Sequence, residues 1–126
     1  MNAIFLAAAP YADDALSLPV SDVEAAIPYY ERTFGFRVVS RQDRPHPSAI
    51  LARDAVQIGL AQNGGDPTQE GCFFEVDNAD AAFVELQNNG AAPGAIGLQN
   101  VKGARYRAFF VVAPDGLCYM IGQRQK

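Results

Sequence analysis

Cysteine is scarce in this 126-residue chain, where Cys72 and Cys118 are the only two. Two are too few for a disulfide scaffold or a zinc knuckle. Histidine is scarcer still: His46 stands alone, between Pro45 and Pro47. A lone histidine has no partner for metal ligation or proton relay, so His46 reads as a loop residue. No run approaches the ~20 apolar residues of a membrane span. Positive charge is in deficit, with 10 Lys and Arg against 14 Asp and Glu and a net charge of −4. That balance excludes the basic face on which nucleic acids and anionic membranes are recognised. The apolar stretch Ala3–Ala9 has no Lys or Arg before it and is short for a secretory signal. It reads as a strand, or as an arm against a partner, and the protein as cytoplasmic.

What is present is ordinary globular composition, 49% apolar and 19% charged. A chain of this length makes one domain, residues 1–126, and buries roughly two-thirds of its unfolded surface. Inside it lies a repeat. Residues 18–27 match residues 74–83 at an offset of 56: Val20 meets Val76, Asp22 meets Asn78, Ala25 and Ala26 meet Ala81 and Ala82. Residues 54–62 match residues 115–123 at an offset of 61: Asp54 meets Asp115, Leu60 meets Ile121, Gln62 meets Gln123. Two matches in the same order imply a duplicated unit, the first at about residues 15–62 and the second at about 71–123.

Each unit reads alike. Leu16, Leu18 and Val20 alternate as a half-buried strand. Asp22 follows as an N-cap whose carboxylate accepts from orphan N–H groups, and Glu24 suits the helix dipole. Ala25, Ala26, Tyr29, Tyr30 and Thr33 fall at helical spacing up to Gly35. Pro28 predicts a kink or a late start, because an interior proline costs ~3 kcal/mol. Strands are expected at residues 36–41, 49–53 and 56–61. The second unit gives a strand at 72–76, the cap Asn78, a helix over about 79–89, a loop with at most a short strand over 91–101, and strands at 108–112 and 117–122. Pro114-Asp115-Gly116 between two apolar runs is a hairpin turn. The pattern is βαβββ twice, an α+β fold.

A tandem βαβββ chain resembles the vicinal oxygen chelate superfamily, which includes glyoxalase I, extradiol dioxygenases and bleomycin-resistance proteins. The resemblance rests on residues 18–36, with their Asp cap, the aromatic pair Tyr29-Tyr30 and the closing Gly35-Phe36. It rests also on residues 74–80 and on Ala113-Pro114-Asp115-Gly116. It implies curved mixed sheets around a cleft. Metal enzymes of that superfamily take ligands from the first and last strand of each unit. Those positions fall here on Ala15, Gly59, Gly71 and Met120. Three have no donor atom, and a thioether does not suit hard divalent ions. Glu70, beside Gly71, adds a single carboxylate, and one is not a site. The resemblance therefore implies a metal-free, cofactor-free member.

Strand parity then names the cleft face. Ser17 goes with Ala15, Gln57 with Gly59, Phe73 and Glu75 with Gly71, and Cys118 with Met120. The opposite parity, including Cys72, Phe74, Ile58 and Tyr119, belongs under the helices. Candidate ligand-binding residues are thus Ser17, Gln57, Phe73, Glu75, Cys118 and Met120, with no catalytic residue. Phe73 reads either as plain core packing or as a stacking surface, as an aromatic at this position is in bleomycin-resistance proteins, and Glu75 either as a counter-charge for a cation or as a solvated strand end. Arg105 and Arg107 read by default as surface charges, with the cleft fringe as the alternative. Two functions compete, a binding protein for a small aromatic or cationic molecule or a metal-dependent lyase, isomerase, dioxygenase or transferase, with a structural or regulatory dimer without a ligand behind them. A homodimer is expected in either case.

Overall fold

The computed structural model describes residues 3–10, 18–44, 46–66, 71–101 and 103–125. Both predicted caps form. Asp22 and Asn78 sit in extended conformation and accept the Ala25 and Ala81 N–H groups at 3.2 and 3.0 Å. They open α1 (Val23–Thr33) and α2 (Ala79–Asn88). Gln62 and Gln123, the paired ends of the two repeats, accept the first helical N–H of each unit, at Val23 and Ala79 (2.9 and 3.0 Å). Two of the orphan donors at each helix start are thereby satisfied. Helix α1 starts on its cap and runs through Pro28, so the late start is not observed. Pro28 is exposed, while Val23, Ile27, Tyr30 and Thr33 form the buried stripe.

Nine strands are formed among the described residues: β1 (Phe5–Pro10), β2 (Leu18–Pro19), β3 (Arg37–Gln42), β4 (Ser48–Arg53), β5 (Val56–Ala61), β6 (Gly71–Val76), β7 (Gly97–Val101), β8 (Ala104–Val112) and β9 (Cys118–Arg124). The sheets are ordered β2-β5-β4-β3 and β1-β6-β9-β8-β7. The two units therefore share one topology, with the first strand parallel to the last (β2 with β5, β6 with β9). Three boundaries differ from expectation. Strand β7 forms where a loop was read, β8 begins at Ala104 rather than Ala108, and β9 continues to Arg124. The β7–β8 pairing of Gln99 with Tyr106 and Leu98 with Arg107 extends both. The apolar arm becomes β1 and pairs antiparallel with β6 of its own chain.

One core receives the helix-covered faces of both sheets. Leu51, Ile58 and Leu60 enter it from one sheet, and Phe74, Phe109, Tyr119 and Ile121 from the other. Each fully buried Leu or Phe stabilises by about 1.5–3 kcal/mol. The helices cross between units. From α1, Tyr30 and Phe34 meet Tyr119 and Phe74 of the second sheet at centroid distances of 5.3–6.0 Å. The hydroxyls of Tyr30 and Tyr119 lie 2.7 Å apart in full burial. Burial pushes both phenols well above their ordinary value, and the negative charge of Asp115 adds to this.

Arg53 crosses in the other direction. Its guanidinium donates to both Glu85 oxygens on α2 (2.6 and 2.9 Å), to the Phe34 carbonyl at 2.6 Å and to the Ala3 carbonyl at 2.8 Å. It also lies 4.2 Å from the centroid of the Phe5 ring. Gly35 leaves room for it: with φ +72, a Cβ there would stand 3.1 Å from Nη1. Next in sequence, Asp54 takes φ +51 and accepts the Phe5 N–H at 2.9 Å.

Arg53→Met should leave the Glu85 carboxylate buried and unpaired, and urea unfolding should show a loss of about 3–5 kcal/mol. The pair Arg53→Met/Glu85→Met should recover part of that loss. The two tyrosines give a pH expectation. Their folded values lie above the unfolded one, so the stabilisation is complete below about pH 10 and falls as pH rises further. Urea midpoints between pH 9 and 11 should therefore decline, and Tyr30→Phe/Tyr119→Phe should flatten the decline.

Candidate ligand-binding site

The second sheet carries side chains on both faces, and the face away from the core is the candidate site. Parity sorts it as expected: Cys72, Phe74 and Val76 enter the core, while Phe73 and Met120 form a separate cluster with Tyr106 and Ala108. Phe73 and Met120 are register partners on β6 and β9. Tyr106 comes from β8, one strand further on. It reaches Phe73 edge-on, at a centroid distance of 4.9 Å and 74°. Gly122 allows this contact. A Cβ there would stand 3.0 Å from the Phe73 ring and 3.3 Å from Tyr106. The missing side chain is what lets a ring from β6 lie across β9.

Continuing along β8, the same parity presents Phe110 and Val112, which are 39% and 64% exposed. Phe110 pairs with Met120 and Val112 with Cys118. Glu75 stands half-buried on β6, opposite Ala7 of the arm. Cys118 is partly exposed, and Cys72, on the opposite parity, is buried; neither forms a disulfide. The face is thus an aromatic and apolar strip with a carboxylate near one edge.

The predicted residues divide between the sheets. Phe73, Glu75, Cys118 and Met120 share this face. Gln57 is exposed on the corresponding face of the four-stranded sheet, next to buried Gly59. Ser17, Ala15 and Glu70 lie outside the described residues. Phe73 is 9% exposed and is held by Tyr106 and Met120, so the open aromatic of the face is Phe110. Tyr106 and Phe110 were missed because the strand was started at Ala108 and only four short strands were assigned cleft parity. The alternation Ala104, Tyr106, Ala108, Phe110, Val112 was there to be read. Arg107 is a surface charge, as its default reading has it. It forms a two-point pair with Asp80 on α2, at 2.9 and 3.2 Å, and that hydrogen bonding holds the Asp80 carboxyl below its usual value. His46 is half-buried before β4.

The positions at which the resemblance implies metal ligands do not fit a metal ion. Gly59 and Gly71 present no donor, and Met120 is packed in the Phe73 cluster. Among the described residues no group of three or more His, Cys, Asp or Glu side chains is placed to hold one. No helix among them is long and apolar enough to cross a membrane.

The family model of the Glyoxalase/Bleomycin resistance protein/Dioxygenase superfamily matches residues 13–117. A bleomycin resistance determinant encoded on the transposon Tn5 is 24% identical, with a TM-score of 0.71 over 91% of this chain and 100% of that one. TnmS3, an antibiotic binding protein from Streptomyces sp. CB03234, is 24% identical with a TM-score of 0.64, over 90% and 97%. A glyoxalase/bleomycin resistance protein from the same Streptomyces is 26% identical with a TM-score of 0.65, over 88% and 100%. No curated protein matches the chain.

Gly122→Val should drive the Phe73 ring off its seat and cost about 1–3 kcal/mol by urea unfolding. In combination with Phe73→Ala that cost should shrink, because the clash partner is gone. Strict additivity of the two losses would show that the ring does not rest on Gly122.

Proposed function

The chain belongs to the glyoxalase/bleomycin resistance protein/dioxygenase superfamily, and on that premise we propose that it is a metal-free binding protein. It takes up a small, flat, aromatic or cationic molecule on the open face of the five-stranded sheet. The observation that carries the reading is a pairing of features. The positions where metal enzymes of the superfamily hold ligands are glycine, glycine and a packed methionine, while the same face offers Phe110 and Val112 exposed beside the Phe73–Tyr106 pair. Ligand sites are mostly apolar with a few placed polar groups, and this face meets that description with Glu75 as its charge. A ring lying on Phe110 gains ~0.5–1.5 kcal/mol beyond burial. A charge-assisted hydrogen bond to Glu75 adds roughly 1.5–3 kcal/mol.

Two similar structures, a bleomycin resistance determinant and an antibiotic binding protein, support sequestration as the purpose. The cleft is completed by a second copy. Both sheets turn their helix-covered faces to one shared core, and the Phe73 cluster draws only on strands of its own sheet. An opposing wall must therefore come from outside the chain, and the four-stranded sheet of a second copy, with Gln57 on its open face, is suited to supply it. The arm does not drive this pairing, since β1 is hydrogen-bonded to β6 within the chain.

Thermal unfolding against a panel of flat aromatic cations, with bleomycin as one member, should reveal a ligand that raises the midpoint by the mass-action law. Phe110→Ala should abolish that shift at little cost in stability, and Glu75→Gln should weaken it only for cationic members. Light scattering should report a dimer. Stabilisation by Mn, Ni, Zn or Fe(II) ions in place of any organic ligand, or an unchanged shift in Phe110→Ala, would overturn the reading.

A further inference from the structure

Three times in this chain an Asn or Asp stands directly before a glycine: Asn63-Gly64, Asn89-Gly90 and Asp115-Gly116. Glycine has no Cβ to hinder its nitrogen, so in each pair that nitrogen can approach the preceding side-chain carbonyl carbon. Exposure does not separate the two asparagines, since Asn63 and Asn89 both face solvent. Hydrogen bonding does. Asn89 is the C-cap of α2, and both reacting groups are engaged there. The Gly90 N–H donates to the Gln87 carbonyl at 3.1 Å, and the Asn89 Nδ2 donates to the Thr33 carbonyl at 3.1 Å. In the third pair the Gly116 N–H donates to the Ala113 carbonyl at 2.9 Å. The arrangement at Gly64 is the reverse. Among the described residues no acceptor meets its N–H, while the Asn63 Oδ1 accepts the Gly65 N–H at 3.0 Å. The nucleophile is open, and the carbonyl it attacks already holds a donor on its oxygen.

We propose that Asn63 is a site of covalent modification, converted by its own backbone to aspartate and isoaspartate, while the fold protects Asn89 and Asp115. The Gly64 nitrogen gives its proton to solvent base and attacks the Asn63 Cγ. A C–N bond forms and negative charge collects on Oδ1. The Cγ–Nδ2 bond then breaks, and Nδ2 leaves as ammonia with a proton taken from water. The product is a five-membered cyclic imide. Water opens it at Cγ to leave aspartate, or at the main-chain carbonyl to leave isoaspartate. One water is consumed, one ammonia is released, and nothing is oxidised or reduced. The Gly65 N–H favours the step, because it donates to the oxygen on which the charge develops. At Asn89 the nucleophile and the leaving group must each first give up a hydrogen bond. The change at Asn63 arrives beside Gln62. That residue donates its N–H to the Pro47 carbonyl and accepts the Val23 N–H, both at 2.9 Å. A new carboxylate, and in isoaspartate an extra main-chain carbon, therefore appear next to the residue that ties the start of α1 to the start of β4.

The test is ageing of the whole chain in mildly alkaline buffer, once folded and once in concentrated urea. Peptide mapping by mass spectrometry follows the change from amide to acid at each asparagine, and chromatography separates the aspartyl from the isoaspartyl peptides. In the folded protein, conversion at Asn63 should run roughly tenfold or more ahead of conversion at Asn89. In urea, where both are plain Asn-Gly pairs, the two rates should converge. Asn63→Gln, whose longer side chain needs a six-membered ring, should remove the fast release of ammonia and leave the rate at Asn89 as it was. Isoaspartate at Asp115 should form more slowly in the folded protein than at Asn63. Equal rates at the two asparagines in the folded protein, faster conversion at Asn89 or Asp115, or a gap of the same size in urea would overturn the proposal.

Discussion

Arg53 is the side chain through which the parts of this molecule are held in one arrangement. It is 8% exposed, and a buried guanidinium is tolerable only when its donors are met. They are met by groups from four places: the Glu85 carboxylate on α2, the Phe34 carbonyl at the end of α1, the Ala3 carbonyl of the arm, and neighbouring Asp54. Charge burial thereby enforces a relation among segments 50, 19 and 32 residues away in sequence. None of these partners can move off without leaving an ionic or carbonyl group unpaired. Apolar packing alone would fix these segments less sharply, since it is non-directional.

That constraint explains why the arm belongs to its own chain. The Phe5 N–H and carbonyl are bonded to Asp54 and Ala55, and Ile4 exchanges two bonds with Asp77. The Phe5 ring then fills the space beside Phe36 and Phe74. With β1 seated, the second sheet gains an edge strand, and Ala7 and Ala8 extend it beside Glu75 and Phe74. The open face of that sheet is therefore bounded on one side by small residues and on the other by β7. Its middle is built by Phe73 and Tyr106 meeting over Gly122.

Much of this was legible in the sequence, for identifiable reasons. The repeat located both helix caps, because Asp22 and Asn78 do the same chemical job at equivalent places. Period-2 alternation assigned Phe73 and Phe74 to opposite faces without any structure, since a strand leaves no other choice. The β7–β8 hairpin was not legible, because residues 91–97 carry Pro93, Gly94 and Gly97 and the pairing partners alternate with arginines. Core packing is one of the two readings open to Phe73, but the means of its burial was out of reach. It depends on a residue two strands away in the sheet and on the absence of a side chain at Gly122, and neither is a local property. Nothing in the sequence sets Arg53, at the end of a strand, apart from the surface charges that isolated arginines usually are. Only the tertiary placement of Glu85 and the arm makes it a buried hub.

The two halves of the molecule show how a duplicated scaffold acquires unlike surfaces from very few changes. Strand order, helix caps and the Gln62 and Gln123 bonds are common to both units, so the backbone around Arg53 and around Pro114 is held by equivalent means. What differs is which side chains project into the space between turn and helix. In one half an arginine and an added arm tie turn, helix and core together. A proline, with no donor and a short ring, cannot do so in the other. The stability that the first half draws from its ion pair is not available to the second, which relies on the apolar contacts of Tyr29 with Tyr30 and Phe34. The half without the ion pair keeps a half-buried carboxylate, a phenol and an open volume.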